Sequence, residues 1–120
     1  MACNLSLTDF DPIVAEVQAK TLAVDFGLYL NTGVTLVGPA DVAISVVSGE
    51  DATPQARLTS GPDIDTLSEA DHGTGIVDAA LFFQLSDLQP GTKYLLVYTC
   101  LASNGDTVAA FNHIKTVTPH

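Results

Sequence analysis

Asp87-Leu88-Gln89-Pro90-Gly91-Thr92-Lys93-Tyr94-Leu95-Leu96-Val97-Tyr98-Thr99-Cys100 joins a tight turn to an alternating strand, and that pairing decides the fold class. Pro90 presets φ for the turn and Gly91 can adopt positive φ, so the chain reverses cheaply just before Tyr94. Tyr94, Leu96, Tyr98 and Cys100 then fall on one face and Leu95, Val97, Thr99 and Leu101 on the other. This period of two marks a central β-strand. The corner made by Leu88, Pro90, Gly91 and Tyr94 is therefore structural: it pins the start of a strand.

The same grammar extends in both directions. Downstream, Asn104-Gly105 is a strong hairpin signal, and Val108 through Val117 supplies a returning strand. Upstream, Ile76 to Leu85 reads as a long strand, preceded by the polar, glycine-bearing loop Ser68 to Gly75. Ala56 to Thr59 reads as a short strand closed by a turn at Ser60-Gly61-Pro62-Asp63. Val42, Ile44 and Val46 alternate in another strand, with Val34 to Val37 as a separate short one before a break at Gly38-Pro39. Leu22, Val24, Phe26 and Leu28 mark a half-buried strand running to Tyr29. The spacing predicts an all-β fold, an antiparallel β-sandwich of about seven to eight strands over residues 19–118. Residues 1–18 read as an extended N-terminal arm, broken by polar residues and by Pro12, which restricts Asp11 to extended conformations.

Composition sets the bounds. With 47% apolar and 15% charged residues in 120, the chain is a packed globule of one domain. The net charge of −10 arises from 14 acids against four scattered bases, Lys20, Arg57, Lys93 and Lys115. Such a surface repels phosphate backbones and anionic headgroups, so neither nucleic acid nor membrane is an expected partner. No apolar run is long enough to span a bilayer, and Met1-Ala2-Cys3-Asn4 lacks the start of a secretory signal, which predicts synthesis in the cytoplasm. Cys3 and Cys100 are too few for a disulfide framework, and Cys100 reads as a small buried apolar residue.

Residues that could carry chemistry do not assemble into a site. His72, in Glu69-Ala70-Asp71-His72, has carboxylate neighbours that could orient it as a base, but no spacing signals a nucleophile, and it reads as a solvated loop residue. His113 reads as a packing or edge residue of the last strand, and His120 is terminal. The acid pairs Asp9 with Asp11, Glu50 with Asp51 and Asp63 with Asp65 read as solvated turn acids, because no calcium-loop signature accompanies them. No phosphate loop, zinc spacing or nucleophile elbow is present. The expectation is a non-enzymatic protein with no catalytic residue, metal or cofactor.

Apolar content is more suggestive. A mean hydropathy of +0.31 is high for so small a domain. Some of Leu95, Val97, Leu101, Phe82, Tyr29, Ile13 and Val14 must then lie outside the core and form an interface, unless the opposite sheet and the arm cover both faces. The arm's own apolar residues, Leu5, Leu7, Phe10, Ile13, Val14 and Val17, are the candidate partner contacts. An extended segment of this kind can order on docking by adding to a partner's sheet edge.

The tyrosine after a tight corner resembles the tyrosine corner of immunoglobulin-like and fibronectin type III sandwiches. Two longer stretches, Lys20-Thr21-Leu22-Ala23-Val24-Asp25-Phe26-Gly27-Leu28-Tyr29-Leu30 with Gly33-Val34-Thr35-Leu36, and Gly91-Thr92-Lys93-Tyr94 through Ser103-Asn104-Gly105-Asp106 to His113-Ile114-Lys115-Thr116-Val117, resemble small tailed-phage virion proteins with immunoglobulin-like folds. That resemblance covers most of residues 20–117 and implies a structural protein on the capsid surface of a virion. It would be a decoration or cement protein that binds the major capsid protein, copies of itself, or both. A neck or tail position is an alternative. So is a fibronectin-like module that binds carbohydrate or a host surface through Tyr29, His72 and the 61–75 segment; three Tyr and no Trp offer few stacking platforms for sugars.

Overall fold

The chain is all-β, and the computed structural model describes residues 4–14 and 20–117. Six strands form two antiparallel three-stranded sheets. One sheet orders β3 (Lys20–Asp25), β6 (Ala80–Leu85) and β5 (Leu58–Asp65), with β6 central; the other orders β8 (Thr107–Val117), β7 (Lys93–Ala102) and β4 (Leu36–Ser48), with β7 central. Two short arm segments, β1 (Asn4–Ser6) and β2 (Ile13–Val14), add in parallel to the outer edge of β8.

Six strands replace the seven to eight expected because neither Gly-Pro pair ends a strand. Val34-Val37 and Val42-Val47 were to be separate strands, yet β4 runs from Leu36 through Gly38-Pro39 to Ser48, its register slipping between Leu36 and Ala40. Gly61-Pro62, expected as a turn, is likewise absorbed in β5, where the register shifts between Ser60 and Asp63. Gly38 and Gly61 take φ of +81° and +87°, which bulges the strand instead of reversing it. Both bulges are on edge strands, where a proline costs no ladder hydrogen bond.

Alternation in β7 produces the core. Tyr94, Leu96, Tyr98 and Cys100 are buried between the sheets, with Val42 and Ile44 of β4, Leu81, Phe83 and Leu85 of β6, and Val24 of β3. Tyr98 meets Phe26 at 6.5 Å and Phe83 at 5.7 Å, so aromatic rings bridge the sheets. Burial pushes the Tyr98 phenol and the Cys100 thiol up, which keeps both neutral in the core.

The end holding the corner is closed by a polar network. The Gln89 N–H donates to the Tyr94 hydroxyl at 2.9 Å, and that hydroxyl donates to Asp51 Oδ2 at 2.7 Å. Arg57 donates to the same carboxylate through Nε at 2.9 Å and a terminal nitrogen at 3.1 Å, and the Thr53 N–H adds a further bond at 2.9 Å. On the other side of the corner, Thr116 donates to the Gln89 carbonyl at 2.6 Å and accepts from the Thr92 N–H at 3.0 Å.

Asp51 is 1% exposed, and the hydrogen bonds from Arg57, helped by those from Tyr94 and Thr53, hold its carboxyl near 2 against an ordinary 3.8. A folded value below the unfolded one means that this carboxylate's stabilisation is full above pH 3.8 and is lost as pH falls through about 2. Asp51→Asn should flatten that acid limb and cost about 2–4 kcal/mol at neutral pH, because Arg57 loses its buried partner; urea melts at stepped pH read both effects. Tyr94→Phe should cost about 1–3 kcal/mol by the same melts, since the Gln89 N–H loses its acceptor and Asp51 Oδ2 loses one of its two donors.

Candidate partner-binding surface

The arm lies on its own chain instead of projecting toward a partner. Leu5 pairs with Ala110 and Val14 with Val117, and between them the Leu7 and Phe10 N–H groups donate to the Phe111 and His113 carbonyls at 2.9 and 3.1 Å. Leu7, Phe10 and Ile13 pack against the core, and Phe10 meets Phe83 edge-to-face at 6.2 Å. The reason is an unfilled side: β8 and β3 belong to different sheets, and the arm's apolar residues close the opening between them.

Two polar devices set the arm's register. Inside, the buried Tyr98 hydroxyl donates to Asn112 Oδ1 at 2.6 Å, and Asn112 Nδ2 donates to the Thr8 carbonyl at 3.2 Å. Outside, Asp9 Oδ1 accepts from the His113 N–H at 2.8 Å and lies 3.2 Å from the ring Nδ1; the His113 backbone bond, foremost, lowers the Asp9 pKa. The candidate contacts Leu7, Phe10 and Ile13 are thus committed to the monomer's own core. Leu5 and Val14 are committed through their backbone, and Val17 lies outside the described residues, as does His120.

Most of the exposed large apolar side chains lie at the opposite end from the corner, while Val47 and Val117 are exposed beside it. Leu28 is 82% exposed, Val77 62%, Tyr29 51% and Ile76 40%. Sequence periodicity placed Leu28 inside a strand and Ile76 and Val77 at the start of another. The strand ends earlier because the Asp25 carboxylate captures the Gly27 N–H at 2.7 Å, folding Gly27–Tyr29 into a 3₁₀ turn that swings Leu28 and Tyr29 outward. Asp25 also accepts from the Thr74 N–H at 2.8 Å and the Thr74 hydroxyl at 3.0 Å, which ties the 66–79 loop to that turn. The Asp25-x-Gly27 pair was the signal in the sequence for this turn.

The 66–79 loop is held throughout. The Gly75 N–H donates to the Leu67 carbonyl at 2.9 Å and the Asp78 N–H to the Thr66 hydroxyl at 3.0 Å, and the Leu36 N–H donates to the Asp78 carbonyl at 2.8 Å. Two of its residues, His72 and Asp78, sit at φ of 66° and 49°, conformations that persist in non-glycine residues only where surrounding bonds over-determine them.

A cleft of about 320 Å³ opens between the arm and this loop end, lined by Thr8, Phe10, Leu28, Tyr29, His72 and Thr74 among others. Tyr29 and His72, distant in sequence, therefore share one cavity. His72 has no hydrogen-bonded carboxylate among the described residues, and Asp71 accepts instead from the Ser68 hydroxyl at 3.0 Å. Asp63 and Asp65 stand exposed on β5, and no group of three or more His, Cys, Asp or Glu gathers with metal-ligand geometry among the described residues. No helix among them is long and apolar enough to cross a membrane.

Phe10→Ala should destabilise the monomer by about 2–4 kcal/mol, from lost burial and the lost Phe83 contact, and should abolish hydrogen-exchange protection at the Leu7 and Phe10 amides. An arm docked only on a partner would leave those amides unprotected in the isolated wild-type chain. No protein-family model matches this chain, and no curated protein or solved structure does so either.

Proposed function

We infer that this chain is a non-enzymatic structural module of a tailed-phage particle, which fastens to the assembled capsid shell as a decoration or cement protein. The carrying observation is the loop end, where Leu28, Tyr29, Ile76 and Val77 are exposed on loops that Asp25 and Thr74 lock together. Apolar groups on a preformed scaffold bind without paying again for ordering, and their burial across subunit boundaries makes those subunits harder to separate. Exposed Glu69, Asp71 and Asp106 rim this end, so the surface it fits is apolar with basic surroundings.

Two features support the immunoglobulin-like reading on which the phage resemblance rests. The strand order, β3-β6-β5 facing arm-β8-β7-β4 with the first segment parallel to the last strand, is compatible with such a sandwich. The Tyr94 hydroxyl bonded to backbone five residues upstream has the form of a tyrosine corner. A second reading, carbohydrate or host-surface binding, draws on the cleft that joins half-exposed Tyr29 to His72.

Wild-type protein should co-sediment with assembled shells. Leu28→Asp combined with Val77→Asp should weaken that binding at least tenfold with little change in thermal midpoint, because both side chains are solvated in the free chain. Shell binding that survives the double substitution overturns the loop-end assignment. No wild-type shell binding, together with glycan binding lost in Tyr29→Ala, would establish the second reading.

A further inference from the structure

The outer face of the β4-β7-β8 sheet has a charge pattern unlike the rest of the molecule. Leu95, Val97 and Leu101 of β7 and Phe111 of β8 line its middle, all half-buried, with Val97 directly opposite Phe111 and Ala43. At one end Lys93 and Lys115 stand directly opposite one another in register, and the exposed Asp9 of the arm, bonded to His113, lies beside them. Like charges in that position destabilise a strand pair, and neither lysine lies within ion-pair distance of a carboxylate among the described residues. At the other end are Asp41, opposite Thr99, and Asp106 in the hairpin turn before β8.

We propose that this face is a self-association surface on which a second copy of the chain stacks in antiparallel, two-fold fashion. Reversing the strand direction brings the lysine end of each copy toward the end of the other that holds Asp41 and Asp106, and lays the apolar rows together. The two-fold is decided by the pattern: a parallel stack would put lysines on lysines. The opposite sheet offers no equivalent pattern, because β5 exposes Asp63 and Asp65 with no pair of lysines at the other end of its strand. In a chain of net charge −10, this face holds two of the four bases, so two copies can meet on it with bases as well as acids at the contact.

Size sets the strength. With the arm as fourth strand, four strands about 4.8 Å apart and nine residues at about 3.3 Å span roughly 19 by 30 Å, on the order of 600 Å² per copy. Two such faces reach only the lower end of specific interfaces, about 1,200 Å² in total, so the dimer is reversible, with dissociation in the micromolar range. This surface adjoins the loop end only at Asp106, and its formation needs no shell.

Sedimentation velocity on the full chain, across concentrations bracketing the micromolar range, should show a reversible monomer–dimer equilibrium that weakens with added salt. Val97→Asp, at the centre, should leave monomer alone. Lys93→Glu with Lys115→Glu should weaken the dimer at least tenfold, and adding Asp41→Lys and Asp106→Lys to that variant should restore it, because the reversed pairs again match across the two-fold. Thermal melts of each variant verify the fold, and the restored variant keeps the test decisive if Val97→Asp unfolds. A wild type that stays monomeric throughout, or a dimer indifferent to the charge reversal, overturns the proposal.

Discussion

Everything at the closed end of this molecule depends on the Asp51 carboxylate, which is 1% exposed and accepts from Arg57, Thr53 and Tyr94 at once. Its partners come from the segment joining the two sheets and from the start of β7, so one buried anion ties the two together. The Arg57 carbonyl accepts from the Ser86 N–H at 3.0 Å, which brings the end of β6 into the same knot. A buried charge of this kind is costly alone and sound only when every lone pair is engaged, and no buried side-chain nitrogen or oxygen among the described residues lacks a partner. The Pro90-Gly91 corner then serves to deliver Tyr94 to the carboxylate.

From that knot the interior turns apolar toward the middle of the sandwich. The middle is aromatic, with Phe26, Tyr98, Phe83 and Phe10 in successive contact from the loop end to the arm. Phe10 makes the arm part of the core, and the Tyr98–Asn112–Thr8 chain specifies its position, since a slipped arm would leave a buried amide unpaired. Beyond the aromatics, the loops that expose Leu28 and Val77 are braced by hydrogen bonds instead of by burial. A buried anion thus secures shape at one end, and hydrogen-bonded loops hold most of the exposed apolar surface at the other.

Much of this was legible in the sequence, and the exceptions have physical causes. Alternation from Tyr94 to Cys100 identified the central strand and its inward face, because a strand covered by a second sheet has to alternate. The class of fold and the hairpin at Asn104-Gly105 followed from the same logic. Strand count did not, because Gly-Pro in an edge strand and Gly-Pro in a turn have the same local chemistry; only the neighbouring strand decides between them. The arm was recognised as a separate segment but assigned to a partner, since the gap between β8 and β3 that receives Phe10 is a tertiary property. Leu28 was hidden by a period of two that continued past the real end of β3, where one hydrogen bond from Asp25 redirected the chain. Of the polar network, Asp51 looked like one more turn acid beside Glu50.

The bulges at Gly38-Pro39 and Gly61-Pro62 bear on how copies can be arranged in a crowd. An intact strand edge is a template on which chains can add without limit, and a protein gathered densely on a surface meets that hazard constantly. Here Gln55 also occupies the β4 edge, accepting from the Ile44 N–H and donating to the Val42 carbonyl, both at 2.9 Å. The arm covers β8, and its own outer rim is interrupted by Pro12 and flanked by Asp9 and Asp11. With ribbon-like growth obstructed at these edges, β3 is left as the one sheet edge that no bulge, side chain or arm segment interrupts among the described residues.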